Sequence, residues 1–279
     1  MHKIKLIALD LDGTLLDFDK QLSEENRTAL VKAAESGVEI VPATGRFYKG
    51  MPQIIRDLPF VRYVISINGA QVFDAKEQKT VCGSEIPLNR ALSVMERLDK
   101  LPVIYDCFQD GWGWMTKSLY DQAEAYAANS HSLEMIQKLR TPVNDLKELL
   151  KKRSSDVQKI QMFFRDMELR AEMLKTLPEE FPDLVVTSAI VNNIELNSRG
   201  ATKGNALRNL ANHLEIPIEQ TMSFGDDLND ISMLKTAGIG VAMGNADEEV
   251  KLAADYITDD CDKNGVAKAI NHFLLENLL

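Results

Sequence analysis

Short, largely apolar runs recur along the chain, and each stops abruptly at small or polar residues. Leu6-Ile7-Ala8-Leu9 runs into Asp10, residues 38–41 into Pro42-Ala43-Thr44-Gly45, and residues 61–67 into Asn68-Gly69. Residues 221–224 run into Gly225-Asp226, and residues 238–243 into Gly244-Asn245. A continuous apolar run bounded by turn residues predicts a strand buried on both faces, as in a parallel sheet. Between the first two runs, Ser23 can cap a helix to about Ser36, with Ala29, Leu30, Ala33 and Ala34 on one side and Gly37 as its stop. Strand, helix, strand at this length predicts a right-handed βαβ unit. A further helix is expected to begin near Phe47 and to continue over residues 51–57. A hairpin is expected from residues 71–73 and 79–81 around the polar loop 74–78.

From about residue 83 to 187 this rhythm is lost. The pattern predicts helices over 88–101, 118–128, 143–152 and 167–177, and strands over 103–108, 112–115, 157–164 and 184–191. The turn Gln109-Asp110-Gly111 makes a hairpin of the first two strands. This is a mixed, antiparallel α+β module. Trp112 and Trp114 share one face if their stretch is a strand, and packing of the module's own core explains them best. The earlier rhythm returns with a strand over 193–197. A helix then opens at Lys203 with Ala206, Leu207, Leu210 and Leu214 on one face. Helices over 231–237, 248–253 and 266–278 and a short strand over 256–258 complete the chain. The expected organisation is a discontinuous core, 1–82 and 190–279, interrupted by a module over 83–189.

The chain has 279 residues and a net charge of −10. Such an acidic balance argues against nucleic acid or an anionic membrane surface as the main partner. An anionic substrate would need positive charge supplied locally. Cys82, Cys107 and Cys261 are scattered, with no metal-ligand spacing. His2, His131, His213 and His272 show no motif. The start is not a signal-peptide core, and no stretch reaches membrane-spanning length. A soluble cytoplasmic protein, monomeric or a small homo-oligomer, is expected.

The candidate chemistry lies at the C-terminal ends of the predicted strands, where open α/β sheets bind ligands. Asp10 and Asp12 would repel each other there and tend to share a cation or a proton. Thr44 can donate to a phosphate oxygen, and the Gly45 backbone can approach it closely. Asn68 is either a turn residue or part of a substrate-facing loop. A lysine at a helix start, Lys203, opposes the helix dipole unless an anion is near. Asp226, Asp227 and Asp230 place three carboxylates directly behind an apolar strand, which is costly without a cation. Hard oxygen ligands suit magnesium. Taken alone, a simple Thr-Gly turn explains Thr44 and a solvated side chain explains Lys203, whereas a solvated acidic loop does not explain why the Asp226 cluster sits directly behind an apolar strand.

Together and in this order they resemble the four-motif series of the haloacid dehalogenase-like hydrolases, and more closely their Cof-type sugar-phosphate phosphatases. The residues that carry the resemblance are Leu9-Asp10-Leu11-Asp12-Gly13-Thr14-Leu15-Leu16, Ala43-Thr44-Gly45-Arg46, Asn68-Gly69-Ala70, Lys203-Gly204, Gly225-Asp226-Asp227-Leu228-Asn229-Asp230, Ala242-Met243-Gly244-Asn245-Ala246 and Gly265-Val266-Ala267. Phe47 stands where relatives often carry proline, and residues 197–202 are a looser version of the stretch before the lysine. The resemblance implies a doubly wound, mainly parallel, Rossmann-like α/β core with an inserted α+β cap domain. It implies a Mg²⁺-dependent phosphatase acting on small phosphorylated metabolites. Asp10 would be the nucleophile that becomes an aspartyl phosphate, and Asp12 the general acid and then base. Mg²⁺ would be held by Asp10, the main-chain carbonyl of Asp12 and Asp226, with Asp230 behind them. Thr44, Lys203 and Asn229, with backbone N–H groups near Leu11 and Gly45, would hold the phosphoryl oxygens, and Arg46 and Asn68 are counted with them. Three other readings use the same pieces: a phosphomutase on the same fold, a phosphate-accepting receiver, and a non-catalytic sugar-phosphate-binding protein. A receiver carries its acceptor Asp on the third strand, which here ends in Asn68. Binding alone does not require both Asp10 and Asp12.

Overall fold

The structure, a computed structural model, describes residues 3–188 and 190–275. His2, position 189 of the predicted strand 184–191 and the end of the last predicted helix, 276–278, lie outside the described residues. The chain divides into two compact units, Met1–Gly83 with Ala201–Leu279, and Ser84–Gly200.

The first unit opens with β1 (Leu6–Leu9), β2 (Glu39–Pro42), β3 (Tyr63–Ser66), β4 (Gln71–Asp74) and β5 (Lys79–Gly83). The helix Glu24–Glu35 joins the first two strands, with the Ser23 side chain accepting from the Asn26 N–H at its start. Past Pro42 the parallel pairing carries on through a bridge between Ala43 and Ile65. β3, β4 and β5 then form an antiparallel meander. The helix expected from Phe47 is replaced by a 3₁₀ turn, Tyr48–Gly50, and a single helical turn, Gln53–Arg56. Pro52 disfavours the helical conformation for the residue before it, and Met51 is extended at φ −73° and ψ 151°. The α-helix expected to start near Phe47 therefore does not begin there.

The second unit contains β6 (Ile104–Gln109), β7 (Trp112–Thr116), β8 (Arg140–Val143), β9 (Lys159–Phe163), β10 (Leu184–Thr187) and β11 (Asn193–Ser198). They form one sheet in the order β10-β11-β9-β6-β7-β8. Every pair is antiparallel except β7 with β8. The helix Ser130–Leu139 and β8 were not expected. β8 carries Pro142, which removes a ladder donor and suits an edge strand. The strand assigned to the core over 193–197 belongs here as β11, so the units change between Gly200 and Ala201. Its composition gives the reason. Ile194 and Leu196 enter the hydrophobic core with Ile160, Met162 and Tyr105, while polar Asn193, Glu195 and Asn197 alternate with them. That period of two marks an antiparallel sheet with one apolar face. Trp114 packs against the same core, with the Arg153 guanidinium 4.1 Å from its ring centre, and the Trp112 indole donates to Thr141 Oγ1 at 2.8 Å.

Returning to the first unit, the helix Lys203–His213 leads to β12 (Thr221–Gly225), β13 (Ile239–Ala242) and β14 (Tyr256–Ile257). The sheet order is β14-β13-β12-β1-β2, parallel throughout. Alternate residues of β1 serve two layers. Ile7 and Leu9 pack with Leu30, Ile40, Phe224 and Ile270, whereas Leu6 and Ala8 pack with Val41, Leu207, Leu210 and Met233. A strand covered on both faces has to be apolar at every position, as β1 is. The last helix spans Gly265–Ile270 and continues as a π-helical turn, Asn271–Leu275.

Buried Asn26 ties these layers to the loop after β1. Its Oδ1 accepts from the Ala267 N–H at 2.9 Å, and its Nδ2 faces the Leu15 carbonyl at 3.5 Å. Asn26→Ala strands that buried N–H, so the variant is expected to lose about 1–3 kcal/mol of stability in urea unfolding. An unchanged midpoint would contradict it.

Candidate active site

The loop after β1 folds on itself. The Leu16 N–H donates to the Leu11 carbonyl at 2.8 Å, and the Gly13 N–H to the Leu16 carbonyl at 3.2 Å. Gly13 has φ +91°, and a Cβ there would run into the Asp226 carboxylate. Only glycine allows the two acidic loops to meet so closely. The Thr14 hydroxyl donates to Asp226 Oδ1 at 2.6 Å. Asn245, after β13, donates from Nδ2 to the Gly13 carbonyl at 2.9 Å and accepts from the Cys261 N–H. Three strand ends are thereby braced together.

Lys203 opens its helix behind Thr202, whose hydroxyl accepts from the Asn205 N–H. Its fully buried ammonium donates to Asp10 Oδ1 and to Asp230 Oδ1, each at 2.6 Å. Burial opposes its charge, but Asp10 and Asp230 outweigh burial and raise its pKa. Asp10 is pushed up, by burial first; Lys203 resists the shift, and Asp230 and Asp226 reinforce it. Asp230 Oδ2 accepts from the Asp226 and Asp227 N–H groups. Asp226 is raised to about 6, chiefly by burial, with Asp230 and Asp227 adding to it and the Thr14 hydroxyl and Lys203 opposing. Asp227 faces outward and caps the short turn that follows, accepting from the Leu228 N–H.

Oxygens of Asp10, Asp226 and Asp230 lie within 4.8 Å of one another and could hold a metal ion. Three carboxylates against one ammonium leave two negative charges when all are ionised, which suits a divalent cation bound through hard oxygens. Asp230 is engaged by Lys203 and two backbone N–H groups, so Asp10 and Asp226 are the freer ligands.

Thr44 is buried. Its Oγ1 accepts from the Arg46 N–H at 3.1 Å, and its carbonyl accepts from the Asn68 N–H. Ile67, Asn68 and Gly69 have successive φ values of +54°, +56° and +98°. A Cβ on Gly69 would strike the Thr202 carbonyl, so this left-handed turn sits against the start of the Lys203 helix. Asn68 Oδ1 accepts from Asn229 Nδ2 at 3.1 Å and lies 3.0 Å from where a Gly45 Cβ would stand. The structure thus brings Asn68, Gly45 and Asn229 together.

Arg46, expected to bind phosphate, is placed on Asp12 instead. Its Nε donates to Oδ2 at 3.0 Å and its NH2 to Oδ1 at 2.9 Å. Lys20 Nζ also reaches Asp12 Oδ1, at 3.0 Å. Burial pushes the Asp12 pKa up, but the two cations win and hold it below the ordinary carboxylate value. Leu11 is buried in the core and contributes backbone alone. Thr14, Asn245 and Lys20 were not singled out from the sequence. Thr14 and Asn245 lie inside the motif stretches. Nothing in the sequence pointed to Lys20.

Residues 7–270 match the model of the haloacid dehalogenase-like hydrolase family. The chain belongs to that family. It is 35% identical to the Bacillus subtilis (strain 168) phosphatase YwpJ, an alignment covering 97% of this chain and 100% of the relative. It is 34% identical to the 5-amino-6-(5-phospho-D-ribitylamino)uracil phosphatase YcsE of the same organism, over 98% and 96% of the two chains. Among solved structures, a haloacid dehalogenase-like hydrolase from B. subtilis superposes with a TM-score of 0.75 at 35% identity, covering 97% of this chain and all of the other. The fold class and family expected from the motifs therefore hold. Among the described residues, no helix is long and apolar enough to cross a membrane.

The raised Asp226 sets a pH dependence. A carboxyl whose folded-state pKa exceeds its unfolded one contributes stability that is complete below the unfolded value and is lost as pH rises through the folded value. The window here runs from the ordinary 3.8 to about 6. In chelator, the melting temperature of the wild type is expected to fall relative to that of Asp226→Asn as pH rises across this window. Added Mg²⁺ is expected to recover the difference above it. A pH-independent gap between the two proteins would contradict the assignment.

Proposed function

We propose that this protein is a Mg²⁺-dependent phosphatase that hydrolyses small phosphorylated metabolites through an aspartyl phosphate on Asp10. The observation that carries the reading is the buried Lys203 ammonium shared between Asp10 and Asp230, beside Asp226. Two of the lysine's three N–H donors are committed to carboxylates, and the third is left for a phosphoryl oxygen. Asp10, Asp226 and the Asp12 carbonyl would hold Mg²⁺, with Asp230 behind them. When bound, the ion would offset the repulsion between a carboxylate and a phosphate dianion.

An Asp10 oxygen attacks phosphorus while the ester oxygen leaves with a proton from Asp12. Asp12 then takes a proton from the water that hydrolyses the aspartyl phosphate. Lys203, the Thr44 hydroxyl, Asn68, Asn229 and backbone N–H groups of the Leu11 and Gly45 loops hold the phosphoryl oxygens. Arg46 serves here through Asp12. We assign residues 84–200 the role of the cap that selects the substrate, on the strength of their place in the chain and the family. The name of the relative YcsE, a phosphatase of a phosphorylated ribitylaminouracil, supports a small phosphorylated metabolite as substrate.

The test is phosphate release from a panel of sugar phosphates and phosphorylated cofactor precursors, with and without Mg²⁺. Wild type should turn over in Mg²⁺ and lose activity in chelator, and Asp10→Asn should lose at least about 10³-fold in kcat. Activity that survives either change would defeat the mechanism. Transfer of the phosphoryl group back to a sugar rather than to water would instead identify a mutase.

A further inference from the structure

We infer that Lys20 is a positioning residue for the Asp12 carboxylate and makes Oδ2 the oxygen that carries the proton. The inference rests on the acid and base role proposed for Asp12. An exposed lysine–aspartate pair ordinarily contributes little and orders little. This lysine, however, is held by a built loop. The Asp17 N–H donates to the Gln21 carbonyl and the Lys20 N–H to the Asp17 carbonyl, each at 3.0 Å. Asp17 Oδ1 accepts from the Asp19 and Gln21 N–H groups at 2.9 and 2.8 Å, and Gln21 Nε2 donates to the Asp19 carbonyl. Within this closed loop Lys20 adopts φ +62°, a left-handed conformation unfavourable for a residue with a Cβ. The loop follows directly on Leu16, whose N–H closes the turn around Asp12. The backbone that shapes the Asp12 turn thus also aims Lys20.

The consequence lies in how the two carboxylate oxygens are shared. Among the described residues, Oδ1 receives Arg46 NH2 and Lys20 Nζ, whereas Oδ2 receives Arg46 Nε alone. The Arg46 fork fixes the plane of the carboxylate. Lys20 breaks the symmetry that the fork leaves, occupying Oδ1 and leaving Oδ2 with the more available lone pair. In the first step the proton on Oδ2 passes to the ester oxygen as the bond from phosphorus to that oxygen breaks and the bond from Asp10 to phosphorus forms. In the second, the water oxygen bonds to phosphorus, its proton moves to Oδ2, and the bond from Asp10 to phosphorus breaks. Without Lys20 the carboxylate is free to rock on the fork, and the donor is misaligned.

The test compares wild type, Lys20→Met and Lys20→Arg by rapid-quench measurement of Asp10 phosphorylation in Mg²⁺. One substrate is an alkyl ester, a hexose phosphate turned over by the wild type. The other is p-nitrophenyl phosphate, whose phenolate departs without a proton. Lys20→Met should slow the step about tenfold on the alkyl ester with KM within about twofold, and less than about threefold on the nitrophenyl ester. Lys20→Arg should restore most of the alkyl-ester rate. Equal losses on both esters, a loss confined to KM, no loss, or no restoration by arginine would each overturn the inference. Melting curves of both variants separate these outcomes from misfolding. A wild type that turns over neither ester would point to failure of the phosphatase reading instead.

Discussion

The first unit is built around one buried ammonium. A lysine removed from water costs several kcal/mol unless its charge is answered, and a carboxylate beside it bears the same cost. Lys203 meets both demands by bridging Asp10 and Asp230, which come from opposite ends of the chain. The arrangement requires β1 and β12 to be neighbours and the helix at residue 203 to begin beside their C-terminal ends. The parallel register of Leu9 with Phe224 supplies the first condition. The left-handed turn at Asn68-Gly69, close against the Thr202 carbonyl, bears on the second. Removing either carboxylate would leave the lysine only half answered, so the electrostatics constrains the topology as much as the apolar layers do.

Much of this was legible because strand ends announce themselves. An apolar run that stops at a carboxylate has few inexpensive explanations, and Asp10 and Asp226 stood out for that reason. Lys203 stood out because a cation at a helix start is unfavourable by itself. What was missed followed other rules. The strand Asn193–Ser198 was assigned by its position before Lys203, although its alternation of Ile194 and Leu196 with polar residues belonged to a one-faced sheet. The helix expected at Phe47 gave way to the conformational bias that Pro52 imposes on Met51. The helix Ser130–Leu139 was missed although Asn129 can cap it and Leu133, Ile136 and Leu139 recur at helical spacing, whereas β8 is four residues long and interrupted by Pro142.

The partners of each charge were harder to read than the charges themselves. Arg46 was placed with the phosphate because it follows Thr44-Gly45, yet its fork closes on Asp12. Asp227 was counted with the acidic cluster, but it turns outward to cap the next turn, and Asp230 turns inward. Sequence spacing places a side chain near a strand end and leaves its rotamer open. Thr14 and Asn245 show the same limit. Both lie within motif stretches, and their work is to brace Asp226 and the Gly13 carbonyl, contacts that exist only once three separate strands are side by side.

The two aspartates of the opening motif therefore end in opposite environments although only Leu11 separates them. Asp10 is buried among like charges and is pushed up, while Asp12 stands between two cations and is held down. Two carboxyl groups this close in sequence differ in proton affinity only because their surroundings differ. The separation comes from a strand that points Asp10 into the sheet rim and from a glycine that turns the chain away immediately after Asp12. The difference between the two carboxyl groups is thus set by backbone geometry before any ligand arrives.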